Sequence, residues 1–146
     1  MYASSRIVAF AVSAVLLAGA AVAQQTEHGG KPMTVQLRGA AEVPKGDPDG
    51  SGTAKLTLNP GQGQICYELE VKGIGTANAA HIHAGAAGQA GDVKVPLQTP
   101  SEGSAKGCAT VDRELVQQIM DRPADYYVNV HNAEYPDGAL RGQLAK

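Results

Sequence analysis

The sequence predicts an all-β, antiparallel sandwich or barrel carrying one short helix, and three observations predict it. From Thr34 onward, short runs of strand-forming residues recur at strand-like spacing, separated by clusters of Gly, Pro, Asp and Asn. Within several runs apolar and polar residues swap at period 2, as in Ala54-Lys55-Leu56-Thr57-Leu58 and Ile65-Cys66-Tyr67-Glu68-Leu69-Glu70-Val71, so each has one face to bury. Helical spacing is confined to one stretch, 112–121, where Leu115 with Ile119 and Val116 with Met120 form i,i+4 apolar pairs.

The elements follow in order. Strand-like runs occupy 34–43, 52–58, 64–72, 77–84, 93–97, 105–111, 126–132 and 139–145. Between them lie Pro44-Lys45-Gly46-Asp47-Pro48-Asp49-Gly50, Asn59-Pro60-Gly61, Gly73-Ile74-Gly75, the glycine-rich segment 85–91 and Pro136-Asp137-Gly138, all built from turn residues. The helix starts at an Asp112 N-cap and is stopped by Pro123, which places it over an open end of the sandwich with Met120 as core filler.

The N-terminus has a different grammar. Arg6 precedes an apolar run at 7–18 broken only by Ser13, and small residues lead to Ala21-Val22-Ala23 before Gln24. That is the pattern of a cleaved signal peptide over 1–23, too short and too Ala-rich for a stable membrane span. Residues 24–32 are polar with a Gly-Gly pair and read as a disordered leader, and His28 within it as a solvated tail histidine. Residues 33–146 are then the domain, destined for the periplasm or the exterior.

Loss of Arg6 with the signal leaves 11 basic against 14 acidic residues, a net charge of −3. The basic residues are scattered and no aromatic interleaving accompanies them, which argues against nucleic acid. Export makes Cys66 and Cys108 a disulfide pair, and the absence of a C-x-x-C argues against redox or metal-thiolate chemistry.

The histidines carry the remaining chemistry. In His81-Ile82-His83 the pleat sends both imidazoles to one face. In the 126–132 run, burial of Val128 and Val130 leaves Tyr127, Asn129 and His131 on the opposite face; after the Pro136-Asp137-Gly138 turn, inward Leu140 and Leu144 leave Ala139, Arg141 and Gln143 outward. If these segments adjoin, His81, His83, His131, Asn129, Arg141 and Gln143 form one polar surface patch. Three neutral imidazoles suit a transition metal, copper first and zinc second on the order of affinities. Asp92, just after the glycine-rich loop, is placed to cap that loop, to accept from a ligating imidazole or to ligate. The same residues also suit a hydrogen-bond network pinning the 85–91 loop to the 135–138 turn, in a non-catalytic module that meets an exported protein partner. No catalytic set is legible: Glu134 and Asp137 flank a turn, Ser51, Ser101 and Ser104 lack a nucleophile elbow, and the 85–91 loop lacks a phosphate-loop lysine and following helix.

The blocks Ala79-Ala80-His81-Ile82-His83-Ala84-Gly85 and Tyr126-Tyr127-Val128-Asn129-Val130-His131-Asn132, the latter continuing through Tyr135-Pro136-Asp137-Gly138 to Leu144, resemble the signature blocks of the CHRD domain family, named from chordin. The opening LRGAAEVP, the strand ICYELEVKG and its partner GCATV extend the resemblance over about 33–145. It implies an immunoglobulin-like or superoxide-dismutase-like sandwich in an exported protein. The H-x-H strand is also similar to that of copper/zinc superoxide dismutase, which implies copper and an anion-steering arginine, here Arg141. The fourth copper histidine, the bridging histidine and the zinc subsite of that family have no counterpart in this sequence, so dismutase activity does not follow.

Overall fold

A computed structural model describes residues 30–146. The signal peptide expected at 1–23, and the leader as far as residue 29, lie outside the described residues. Eight strands follow in chain order: β1 (Lys31–Arg38), β2 (Ser51–Asn59), β3 (Gln64–Lys72), β4 (Ala77–Ala84), β5 (Val93–Leu97), β6 (Ser104–Thr110), β7 (Tyr126–Asn132) and β8 (Leu140–Gln143). One helix, α1 (Arg113–Asp121), sits between β6 and β7.

The strands form one antiparallel sheet in the order β5-β4-β7-β8-β1-β2-β3-β6. β8 meets β1 at a single residue pair, Arg141 and Arg38, so the sheet divides into two four-stranded halves hinged there. Its outer strands, β5 and β6, approach each other on the far side, and the sheet is nearly closed into a barrel-like sandwich. Alternate residues of both halves fill the interior: Val35 and Leu37, Leu56 and Leu58, Ile65 and Leu69, Ile82, Val95, Val128, Val130 and Leu140. Helix α1 closes one end by adding Val116 and Ile119, with Met120 packed at the edge of the same core. Asp112 caps it by accepting a 2.7 Å hydrogen bond from the Glu114 amide.

Several boundaries differ from the sequence reading, each for a local reason. β1 begins at Lys31, three residues earlier than expected, because Lys31 to Met33 continue the pairing with β2. It ends at Arg38 rather than at residue 43, since Gly39 turns into a short 3-10 segment (Gly39–Ala41) directly against the backbone of Asp47. A side chain at Gly39 would sit 1.8 Å from the Asp47 carbonyl oxygen, so the turn depends on glycine. β8 is four residues long, not the seven of the 139–145 run.

Cys66 and Cys108 face each other across the β3–β6 ladder and form the expected disulfide, 42 residues apart in sequence. Cys108 is exposed, so the bridge lies on the solvent face of the sheet. Among the described residues no helix is long and apolar enough to cross a membrane.

Candidate metal centre

The centre is built on the β4–β7 ladder. A register irregularity between Ala77 and Ala79 lets both Ala77 and Ala80 point inward, after which plain alternation sends Ile82 into the core and His81 and His83 to the other face. Across the ladder Tyr127 lies opposite His83, Asn129 opposite His81 and His131 opposite Ala79. His131 is therefore the diagonal neighbour of His81, and three imidazoles reach one point. One nitrogen from each lies within 4.8 Å of the others.

Hydrogen bonds fix how two of the rings face. His83 Nδ1 is 2.8 Å from the Gly91 carbonyl oxygen and His131 Nδ1 is 2.9 Å from that of Pro136. A carbonyl only accepts, so in each neutral ring Nδ1 carries the proton and Nε2 presents its lone pair. The bare Nε2 of His131 faces His81 Nδ1 at 3.3 Å. That of His83 is buried and has no hydrogen-bond partner. Two nitrogens bound to one tetrahedral ion at about 2.0–2.1 Å stand roughly 3.3–3.4 Å apart, which is the His81–His131 spacing. Backbone carbonyls on the far nitrogens are the usual outer partners of ligating histidines.

Burial, followed by the neighbouring imidazoles His131 and His83, holds His81 below the ordinary histidine pKa. Burial, with His83 adding to it, does the same for His131, against opposing pulls from the Pro136 carbonyl and Asp137. Depressed values keep these rings uncharged at neutral pH, the state that binds a metal.

The other residues expected at the site fall into two groups. Asn129 does adjoin the histidines, but at 2 % exposure it is buried, and its side chain is near enough to His81 and to the Glu42 carboxyl to act on both. Arg141 is not on a surface patch: it is 1 % exposed, against the outward placement expected from alternation. Its guanidinium donates to the carbonyls of Gln89 and Ala86, both at 2.8 Å, and to Gln143 Oε1 at 3.0 Å. The guanidinium carbon also lies 3.4 Å from the centre of the Tyr127 ring. Donors spent this way do not steer anions, so the role implied by the dismutase likeness is withdrawn. Ala139, also expected outward, is fully buried.

The reason is the 85–91 loop, which folds over this face and gives β7 two buried faces. Gln143 Nε2 lies 2.8 Å from the carbonyl oxygens of Gly85, Ala124 and Tyr126, and the Gly91 amide donates to the Tyr127 hydroxyl. The Asp92 side chain is 91 % exposed, its carboxylate 4.0 Å from the Lys94 ammonium, and it takes no part in the site; its backbone carbonyl accepts from the Ala84 amide at 3.0 Å and closes the base of the loop.

The expected site set lacks two contributors, although alternation places one of them, Tyr127, on the face of His131. Tyr127 stacks on His83, ring centres 4.9 Å apart and planes within 10°, and so helps hold that ring. Glu42, within the LRGAAEVP segment, is a buried carboxyl beside Asn129; in the sequence it falls in the 34–43 strand-like run, with nothing to mark it as buried.

A family model for the CHRD domain matches residues 33–144. No curated protein and no solved structure matches the chain. The match takes in all eight strands except the first two residues of β1 and contains all three histidines of the centre, and the chain belongs to the CHRD domain family.

Proposed function

We propose that this protein is an exported metal-binding module that holds one copper ion through His81, His83 and His131, with zinc as the second choice. The observation that carries the reading is the His83 Nε2 lone pair, buried without a partner and turned toward two other imidazoles. An orphaned buried acceptor costs about 1–3 kcal/mol, and a bound ion removes that cost. The donor set supplies the rest: three neutral nitrogens favour copper over zinc on intrinsic affinity. Export is supported by the N-terminal pattern and by a disulfide, which persists in oxidising compartments.

A second reading is favoured by the 3.3 Å contact of His81 with His131 and by the bonds of Arg141 and Gln143 to the 85–91 loop. On that reading the histidines are one more part of a structural network, in a module that binds another exported protein. Metal analysis separates the two. Protein isolated from the periplasm of copper-supplemented cells carries about one equivalent of copper on the first reading, and the His81→Ala, His83→Ala variant carries none. Equal trace metal in both proteins favours the structural network.

A further inference from the structure

Three uncharged imidazoles bring no negative charge to an ion they hold, and Arg141, buried under the same loop, is positive. Among the described residues two carboxyls are buried, Glu42 and Asp47. Asp47 is occupied in its own turn, where Oδ1 accepts from the Asp49 amide at 3.0 Å. Glu42 is 5 % exposed; its Oε2 accepts a long 3.3 Å bond from the Val43 amide, and its Oε1 has no partner. The carboxyl lies flat on Gly138, where a methyl group would stand 2.2 Å from Oε1 and 2.4 Å from the carboxyl carbon. Room for it exists because that position is glycine. Asn129 stands between: it is the cross-strand neighbour of His81, its side chain is near enough to Glu42 to act on that carboxyl, and its Oδ1 is buried without a hydrogen-bond partner.

We propose that Glu42 is the counter-charge of the three-histidine centre, held one side chain away behind Asn129, and that it biases the centre toward a divalent ion. The proposal rests on the metal-binding reading above. A carboxylate with one long backbone hydrogen bond and only a neutral amide beside it is poorly stabilised in a buried place, and a cation held nearby is what compensates it. Burial raises the Glu42 pKa to about 7, against the opposing pulls of the Val43 amide, Arg141 and Asn129, with Asp137 adding to the rise. Arg141 is the rival counter-ion, but its donors are committed to Gln89, Ala86 and Gln143, and no ion pair joins it to Glu42.

Coulomb energy scales with the charge of the ion, so removing the carboxylate weakens a divalent ion by the square of the factor lost by a monovalent one. The test is competitive titration of the mature protein with Zn(II) and with Ag(I), a redox-inert monovalent ion, at pH 7.5. Glu42→Gln is expected to lose about tenfold in Zn(II) affinity and about threefold in Ag(I) affinity, since Coulomb energy doubles with the charge. Glu42→Asp, which keeps the charge, restores the wild-type ratio of the two affinities. Asp92→Asn, removing an exposed carboxylate, leaves it unchanged. If Glu42→Gln does not fold, Glu42→Ala carries the same comparison. Equal losses for both ions, or none, overturn the proposal while leaving the metal site standing. Wild-type protein that binds neither ion overturns both.

Discussion

The guanidinium of Arg141 lies on the ring of Tyr127, 3.4 Å from its centre, and the imidazole of His83 stacks parallel on the same tyrosine. β7 runs between β4 and β8, so the two groups approach Tyr127 from opposite sides. One stack thus ties the cation that holds the 85–91 loop to a histidine of the proposed centre.

Arg141→Lys is therefore expected to be severe. Lysine carries the charge but neither the planar fork that reaches Gln89 and Ala86 nor the flat face that stacks on Tyr127. Leaving those carbonyls unpaired and a cation poorly matched costs about 2–4 kcal/mol. Urea unfolding measures it; a loss below about 0.5 kcal/mol, the range of ordinary surface changes, contradicts the role given to this residue.

The disulfide predicts an intact mass two units below that of the reduced chain. Closing a loop across a sequence separation of 42 restricts the unfolded ensemble by about 4 kcal/mol in the chain-entropy account. Reduction lowers the melting temperature accordingly. Two free thiols in non-reduced, exported protein contradict the pairing.

Glu42 predicts a pH signature in stability. Its folded pKa of about 7 is above the ordinary 4.5, so the folded state binds the proton more tightly than the unfolded one. Stability from this group falls as pH rises from about 4.5 to about 7 and is level above that, a change of about 3 kcal/mol at most. His81 and His131 act in the opposite sense: their depressed values remove stability as pH falls below the ordinary 6.5. Comparison with Glu42→Gln cancels the histidines, and the variant gains on the wild type across the Glu42 window. A difference that does not vary with pH contradicts a buried Glu42 carboxyl.

The N-terminal pattern predicts that protein from the exported fraction begins at or near Gln24. N-terminal sequencing checks this, and a chain beginning at Met1 or Tyr2 contradicts it.

Alternation made most of the strands legible, because one face of each is apolar: the bounds of β3, β4, β5 and β7 match the runs read from the sequence. It also placed His81 and His83 together. The same rule failed for Arg141, Ala139 and Asn129, since it treats the face away from the core as solvent. Here that face is roofed by the 85–91 loop, and nothing in a run of Gly and Ala announces which residues lie beneath it. Glu42 was hidden for a related reason. Its burial depends on Gly138, about a hundred residues away along the chain, leaving room for a carboxyl.

Calorimetric titration with copper and with zinc, at pH 7.5 and at pH 5.5, tests the central claim most directly. The account predicts one ion per chain at pH 7.5, copper tighter than zinc, and weaker binding at pH 5.5, where protons compete for the imidazoles. Replacing His83 or His131 by alanine abolishes it, whereas His28→Ala leaves it unchanged. Equal weak binding by the wild type and by the His83→Ala, His131→Ala variant contradicts a metal centre and leaves the histidines as a structural network.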